Sequence, residues 1–286
     1  MNVLFAGGRT HDRTSWDWAR GCACRCVEIT LLVLARGISA AADVLTVTGF
    51  NVESGDASPQ VIATYIQGAG PTDLWGLCEV EDASWLAPIE NAAEAVRGTD
   101  YRSILGTTGG ADRLAILYDD EIVQEVRHQE LHNVNVDGRV RAPLFAEFRV
   151  RTTGTVFIFM VNHLYRRDDQ GRRLQAARLN AWATTQSLPI VAVGDYNFDW
   201  NVHTGRHDPG FDQLTRNDVF VWLKPSRIIK TQCSSRYNSI LDFIFVSGPA
   251  KAWKASSVIL YPEPDYCPDD SRKSDHRPVQ ATLEIP

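Results

Sequence analysis

The chain has 286 residues, 44% of them hydrophobic and 22% charged, the balance of a globular protein with a sizeable core in one large domain or two ordinary ones. A formal charge of −6 excludes a strong overall positive field, so any attraction for nucleic acid or anionic lipid must be local or borrowed from a bound cation. No apolar run reaches the roughly 18 residues of a membrane-spanning helix.

The N-terminal segment reads as a leader. Residues 27–34 are mostly apolar, arginines precede them, and the small residues 39–42 resemble an A-x-A cleavage site ahead of Asp43. The expected organisation is a signal-like extension over 1–42 followed by one domain over 43–286, exported to the periplasm or medium. A cytoplasmic protein with an N-terminal extension is the alternative. Of the six cysteines, Cys22, Cys24 and Cys26 fall in the leader, and Cys78 lies in an apolar run as a buried small hydrophobe. Cys233 and Cys267 remain, in loop-like surroundings, and export would make them a disulfide pair worth about 3–4 kcal/mol in the chain-entropy picture. No CxxC pair occurs, which argues against a structural zinc site.

From Asp43 onward strands and helices alternate. A strand over 45–52 ends in Asn51 and Glu53; Ser58-Pro59 then opens a helix marked by Val61, Ile62, Tyr65 and Ile66. A buried strand over 73–80 carries Glu79, and Trp85, Ile89, Ala92 and Val96 mark an amphipathic helix that stops at Gly98. The middle is strand-rich (101–105, 114–118, 122–131, 144–150 and 156–164), with Gly, Asp and Asn turns that predict antiparallel meanders. The last of these strands ends in Asn162-His163. A helix around Leu174 to Trp182 follows, with Arg172, Arg173 and Arg178 on its other face. The stretch PIVAVGDYNFD at 189–199 reads as a short buried strand, 190–193, that breaks at Gly194 and presents Asp195 and Asn197 side by side. Residues 201–216 read as loop: Gly205 and Pro209 argue against the helix that a zinc-binding His203/His207 pair would need. Strands over 240–246, carrying Asp242, and 278–285, preceded by Asp275-His276, complete the chain.

Asn51, Glu79, His163, Asp195, Asn197, Asp242, Asp275 and His276 all sit at strand ends or inside strands. Singly, each has a bland explanation as a turn former, capping acid or core histidine. Together, four carboxylates, two amides and two imidazoles in equivalent positions are the equipment of a phosphodiester hydrolase. Carboxylates hold a hard divalent cation, and a base, a phosphate-oxygen donor and an acid complete the chemistry.

The series FNVES, LCEVED, NHLYRR, GDYNFD, LDFIF and SDHRPV, in that order, resembles the motifs of the endonuclease/exonuclease/phosphatase superfamily over about Asp43 to Pro286. The resemblance implies an α/β fold, a four-layered sandwich of two mainly antiparallel β-sheets packed face to face with helices outside. It implies Mg²⁺ as cofactor, with Mn²⁺ or Ca²⁺ as substitutes, held by Glu79 and Asn51 with help from Asp275. Asp195 would activate water, Asn197 would hold a phosphate oxygen, and Asp242 would orient His276, which stabilises charge on the phosphoryl group. His163 would be a second donor or the acid for the leaving oxygen, and Arg113, in GGADRLAIL, a phosphate contact.

Phe50 replaces the tryptophan of the W-N-V-x-G opening of apurinic endonucleases. YNSILDF at 237–243 replaces the WxDRxL of inositol phosphatases, and no apolar hairpin tip of the sphingomyelinase kind is evident. The leading expectation is a secreted, monomeric deoxyribonuclease I-like endonuclease acting on DNA. A sphingomyelinase-like or small-molecule phosphodiesterase is the alternative, and an inactive binding protein on the same scaffold is the alternative of another class. Arg166, Arg167, Arg172 and Arg173 could line a groove for a phosphate backbone, diluted by Asp168 and Asp169.

Overall fold

A computed structural model describes residues 43–138, 140–267 and 270–286. The leader expected over 1–42, with its three cysteines, lies outside the described residues. In chain order the described elements are β1 (Asp43–Asn51), α1 (Pro59–Gly68), β2 (Leu74–Val80), α2 (Ala83–Arg97), β3 (Tyr101–Leu105), β4 (Arg113–Asp119) and β5 (Val123–Glu130). There follow β6 (Leu144–Val150), β7 (Val156–His163), α3 (Asp169–Ala183), β8 (Ile190–Asn201), α4 (Pro209–Thr215), β9 (Phe220–Trp222), β10 (Ser239–Ser247), β11 (Lys254–Ile259) and β12 (Val279–Ile285).

The strands form two six-stranded sheets, ordered β11-β12-β1-β2-β4-β3 and β5-β6-β7-β8-β10-β9. Each sheet is antiparallel except at its centre, where β1 pairs with β2 and β7 with β8 in parallel. Period-2 alternation sorts the side chains into layers. On β4, Ala115 and Leu117 pack under α1 and α2 with Ile62, Ile66, Leu86 and Ile89, while Leu114, Ile116 and Tyr118 face the other sheet. On β6, Phe148 meets Tyr118 across the sandwich and Phe145 meets Trp182 of α3 on the outside. The layers are therefore helix pair, sheet, sheet, helix pair, as the resemblance implies. At 25 cal/mol per Å² of apolar surface, this face-to-face burial is the main favourable term in folding.

Local signals account for the helix ends. Asp82 caps α2 by accepting from the Trp85 N–H at 2.9 Å, and Gly98 closes it with φ 75°. Ser58 and Pro59 open α1 as expected, although the Ser58 hydroxyl bonds Gln60 rather than the helix backbone. Cys233 and Cys267 are disulfide-bonded, tying the chain ahead of β10 to the chain ahead of β12; Cys78 is free and buried.

Two expectations are corrected. Residues 201–216 are not all loop, because Pro209 begins a short helix: Asp208 caps α4, and Phe211 packs on Trp222, Phe243 and Phe245. His203 and His207 are nevertheless not on a helix; His207 stacks flat on Trp200 and bonds Asp212. The strand that opens at Ile190 does not end at Val193 but continues to Asn201. It survives the glycine because Gly194 lies in the position of closest approach to β7: with φ 134°, a Cβ there would fall 2.0 Å from the Asn162 carbonyl oxygen.

Gly194→Ala is expected to cost about 3 kcal/mol or more, since the clash is with backbone and the dihedral is one that L side chains rarely adopt. Urea unfolding checks this; a midpoint equal to wild type would contradict it.

Candidate active site

The two central parallel pairs point their carboxyl ends to the same place, and side chains leaving those ends meet there. Asn51 ends β1, Glu79 is the penultimate residue of β2, His163 ends β7, and Asp195 lies opposite it on β8. Asp242 reaches the same point from β10, opposite Asp195. His276 arrives from the segment before β12, held by a bridge to Gln232.

Broken strand geometry aims Glu79 and Asn197. The β2–β4 register shifts between Leu77 and Val80, and Glu79 takes φ 60°; with Leu77 and Val80 both packed under the helices, the bulge turns Glu79 away from that face. The β8–β10 register shifts likewise, and Asn197 and Asp199 take φ 53° and 49°. Asn197 is thus not a plain i+2 neighbour of Asp195 in extended chain. Its backbone N–H donates to Asp195 Oδ1 at 2.9 Å, an Asx turn built into the site.

Asp195 Oδ2 is the hub. Asn51 Nδ2 donates to it at 3.2 Å and to Glu79 Oε1 at 2.9 Å; His163 Nε2 lies 3.4 Å from it and His276 Nε2 3.9 Å. His276 Nδ1 is 2.7 Å from Asp242 Oδ2, and its Nε2 is 3.4 Å from Asp275 Oδ1. Asn197 Nδ2 donates to the Leu164 carbonyl at 3.1 Å. Asp195, Asp242, His163 and His276 are each at most 5% exposed, whereas the Glu79 side chain is 27% exposed, so the site opens on the Glu79 side.

The two histidines sit in opposite electrostatic surroundings. Burial works against a charged His276, but Asp242, Asp195 and Asp275 overcome it and hold the imidazole well above its ordinary titration point. Burial, then Arg141, His276 and Arg166, push His163 well below, so it stays neutral. Burial raises Asp195 to about 7; His276 and the Asn197 N–H oppose the shift, and Asp242 and Glu79 add to it.

Of the nine residues expected from sequence, eight come together here. Arg113 stands apart: its Nε donates to the Gly110 carbonyl at 2.8 Å, and among the described residues no hydrogen bond or ion pair joins it to the other eight. The arginine brought to the site is Arg141, paired with Asp112, and neither was singled out from sequence. Asp112 Oδ1 lies 4.0 Å from His163 Nδ1, and burial lifts its carboxyl to about 6. Asp112 follows a Gly-Gly turn, a faint signal; Arg141 had none. Ser274 was also missed: its hydroxyl donates to the Asn51 carbonyl at 2.5 Å and accepts the His276 N–H at 2.9 Å, joining the two ends of the domain.

A divalent cation fits these donors. Ligand atoms of Glu79, Asp112 and His163 lie within 4.8 Å of one another, as do those of Asp195, Asp242 and His276. Asp112 Oδ1, His163 Nδ1 and Asp242 Oδ1 are buried without hydrogen-bond partners, a cost that a bound cation or water would relieve. Asp275 belongs to neither group and lies on the His276 side, bonded to Gln232 at 2.8 Å.

Residues 49–276 match the family described as endonuclease/exonuclease/phosphatase. The chain belongs to this family. Among solved structures, a family member from Bacteroides thetaiotaomicron is 19% identical with TM-score 0.63, covering 86% of this chain and 99% of its own. A mannosyl-6-phosphatase of B. thetaiotaomicron VPI-5482 is 20% identical with TM-score 0.60, covering 84% and 100%. D. rerio TDP2, complexed with single-strand DNA product, is 15% identical with TM-score 0.65, covering 85% and 100%. At these identities the likeness carries the fold. No curated protein matches the chain in sequence. Family membership and a metal-capable cluster of acids and histidines are thus in place, and no described helix is long and apolar enough to cross a membrane.

The Asp242–His276 pair makes stability depend on pH in a defined direction. Because the folded imidazole titrates above its unfolded value near 6.5, the pair's contribution is complete below about pH 6.5 and is lost as pH rises through the folded titration point. Asp242→Asn is therefore expected to cost roughly 3 kcal/mol at pH 6 and progressively less toward pH 10. Denaturant midpoints across that range, in EDTA, check it; a deficit independent of pH would contradict it.

Proposed function

We propose that residues 43–286 form a Mg²⁺-dependent phosphodiester hydrolase, most closely a deoxyribonuclease I-like endonuclease, exported behind a leader over 1–42 and acting as a monomer. The observation that carries this reading is geometric: Asn51 Nδ2, His163 Nε2 and His276 Nε2 close on Asp195 Oδ2 at 3.2, 3.4 and 3.9 Å, Asn51 also holds Glu79, and Asp242 Oδ2 stands 2.7 Å from His276 Nδ1. Burial raises the Asp195 carboxyl and so strengthens it as a base, and the imidazolium held by Asp242 is the matching donor. The Cys233–Cys267 bridge supports an oxidising destination.

In this reading Glu79 and Asn51 hold the cation, with Asp112 as a further carboxylate and Asp275 assisting from the His276 side. Bound there, the cation supplies charge neutralisation at the phosphate. Asp195 orients the attacking water and takes its proton. Asn197 uses one amide N–H on Leu164 and has the other for a phosphate oxygen. Asp242 fixes the orientation of the His276 imidazolium by accepting from Nδ1–H, which leaves Nε2–H to donate to the phosphoryl group as charge develops. His163, neutral and beside Asp195, serves as a second donor. A small-molecule phosphodiesterase is the second reading, favoured by the compact cavity next to Asn197.

Supercoiled plasmid, single-stranded RNA, sphingomyelin and bis(p-nitrophenyl) phosphate, each with Mg²⁺ or EDTA, test the proposal. Hydrolysis of plasmid and of the chromogenic diester with Mg²⁺, abolished by EDTA, is expected. His276→Ala should lower turnover about 10²- to 10⁴-fold, the range of a positioned acid or base, and Glu79→Gln at least about 10²-fold with a raised Mg²⁺ requirement. Losses below tenfold in folded variants would remove these residues from the chemistry, and binding without hydrolysis of any substrate would point to an inactive binding protein.

A further inference from the structure

Beside the site lies a cavity of about 310 Å³ whose walls include Asn197, Gln232, Arg166, Arg167, Tyr237 and Asp199. Its volume is near the lower end of the roughly 300–1,000 Å³ of small-ligand clefts, room for one compact unit and not for a duplex. It touches the proposed catalytic groups directly through Asn197, and through Gln232, whose amide holds Asp275. A group attached to a phosphate seated at Asp195 and His276 would therefore extend into it.

Four arginines cluster in this part of the sequence, and the fold sorts them. Arg172 is buried and committed through both Nη atoms: it donates to the carbonyls of Tyr165 and Arg166 at 2.8 and 3.0 Å and to Asp169 and Asp208 at 2.7 and 2.9 Å. Arg173 adds an ion pair to Asp208. Arg166 and Arg167 are exposed, and among the described residues neither guanidinium makes a hydrogen bond or ion pair. The loop beneath them is nonetheless pinned, since Arg172 holds its carbonyls and Gln175 accepts the Tyr165 N–H at 2.9 Å. Pinning of the backbone confines the freedom lost on binding an anion to the two arginine side chains, whose planar forks match it.

The segment that brings Gln232 and Tyr237 to the cavity is anchored in the same way. Lys230 Nζ donates to the carbonyls of Cys233 and Ser234 at 3.2 and 2.8 Å, and the disulfide ties the segment to the loop before His276. Tyr237, 48% exposed, stands on this segment as an unstacked aromatic ring. Asp199 is the one carboxylate among these lining groups, so the arginine pair leaves the cavity net positive, within a protein of net charge −6. An aromatic ring and a pair of guanidinium forks lining one cavity that adjoins the site through Asn197 fit the base and phosphate of a nucleotide.

We propose that this cavity is a subsite for the nucleotide unit adjoining the scissile phosphate, with that unit's own phosphate on Arg166 and Arg167 and its base against Tyr237. The inference rests on the phosphodiesterase reading and makes a nucleotide the unit held beside the scissile bond. Asp199, the carboxylate in the lining, disfavours a third anion.

Calorimetric titration in EDTA tests the subsite without requiring turnover. Thymidine 3′,5′-bisphosphate is expected to bind at least about tenfold more tightly than thymidine 5′-monophosphate, an advantage that falls below about twofold in R166A/R167A and is partly kept in R166K/R167K. Y237A should weaken thymidine bisphosphate about fivefold and leave the abasic deoxyribose 3′,5′-bisphosphate unchanged. An advantage that is absent, or that survives R166A/R167A in a protein melting at the wild-type temperature, overturns the proposal. Equal loss of base-bearing and abasic ligands in Y237A overturns the nucleotide assignment. Hydrolysis of bis(p-nitrophenyl) phosphate, measured alongside, reports separately on the phosphodiesterase reading: activity without the second-phosphate advantage sinks only the subsite.

Discussion

The close approach of the two sheets at their central strands is the constraint from which the site follows. A Cβ on Gly76 would come within 2.3 Å of Val193 Cγ2, and one on Gly49 within 3.1 Å of Val193 Cβ. Two glycines, on β1 and β2, thus let the strands that carry Asn51 and Glu79 lie nearer to the strand that carries Asp195 than side chains would permit. Helices cover the outer faces, so polar groups from both sheets can converge only at the strand ends. The parallel pairing at the centre of each sheet points two of those ends the same way.

Convergence concentrates charge, and the charge is apportioned by position. Asp242 at 2.7 Å captures His276 as an imidazolium, while burial, then Arg141 and His276, keep His163 neutral. Two residues of one type thereby acquire different charges from their surroundings alone. The cost is visible in partnerless buried atoms on Asp112, His163 and Asp242 and in left-handed backbone at Glu79 and Asn197. The core offsets this strain, with both sheets sealed by fully buried aromatic and aliphatic side chains such as Trp75, Phe159 and Phe243.

The same principle runs through the loops beside the site. Arg172 and Lys230 spend their hydrogen bonds on backbone carbonyls, fixing the segments that carry Arg166, Arg167, Gln232 and Tyr237. Rigid backbone with uncommitted side chains separates stability from recognition: what holds each loop is not what faces the cavity. The disulfide adds a covalent tie between one cavity wall and the loop bearing Asp275 and His276.

Much was determined by the sequence alone. Period-2 and period-3.6 patterns located most strands and three of the helices, because burial on one face leaves its mark on every second or every third-to-fourth residue. The order of six short motifs brought eight polar residues to one chemistry. The length of β8 and the helix at Pro209 were not legible, since Gly194 and Pro209 act as breakers locally and were accommodated by contacts with Asn162 and with Phe243 and Phe245. Only the tertiary structure could choose Arg141 over Arg113, enlist Asp112 and Ser274, distinguish the two histidines, and show that Arg172 is structural while Arg166 and Arg167 are free. Those choices depend on distance and burial between segments far apart in the chain, and neither quantity is written in local sequence.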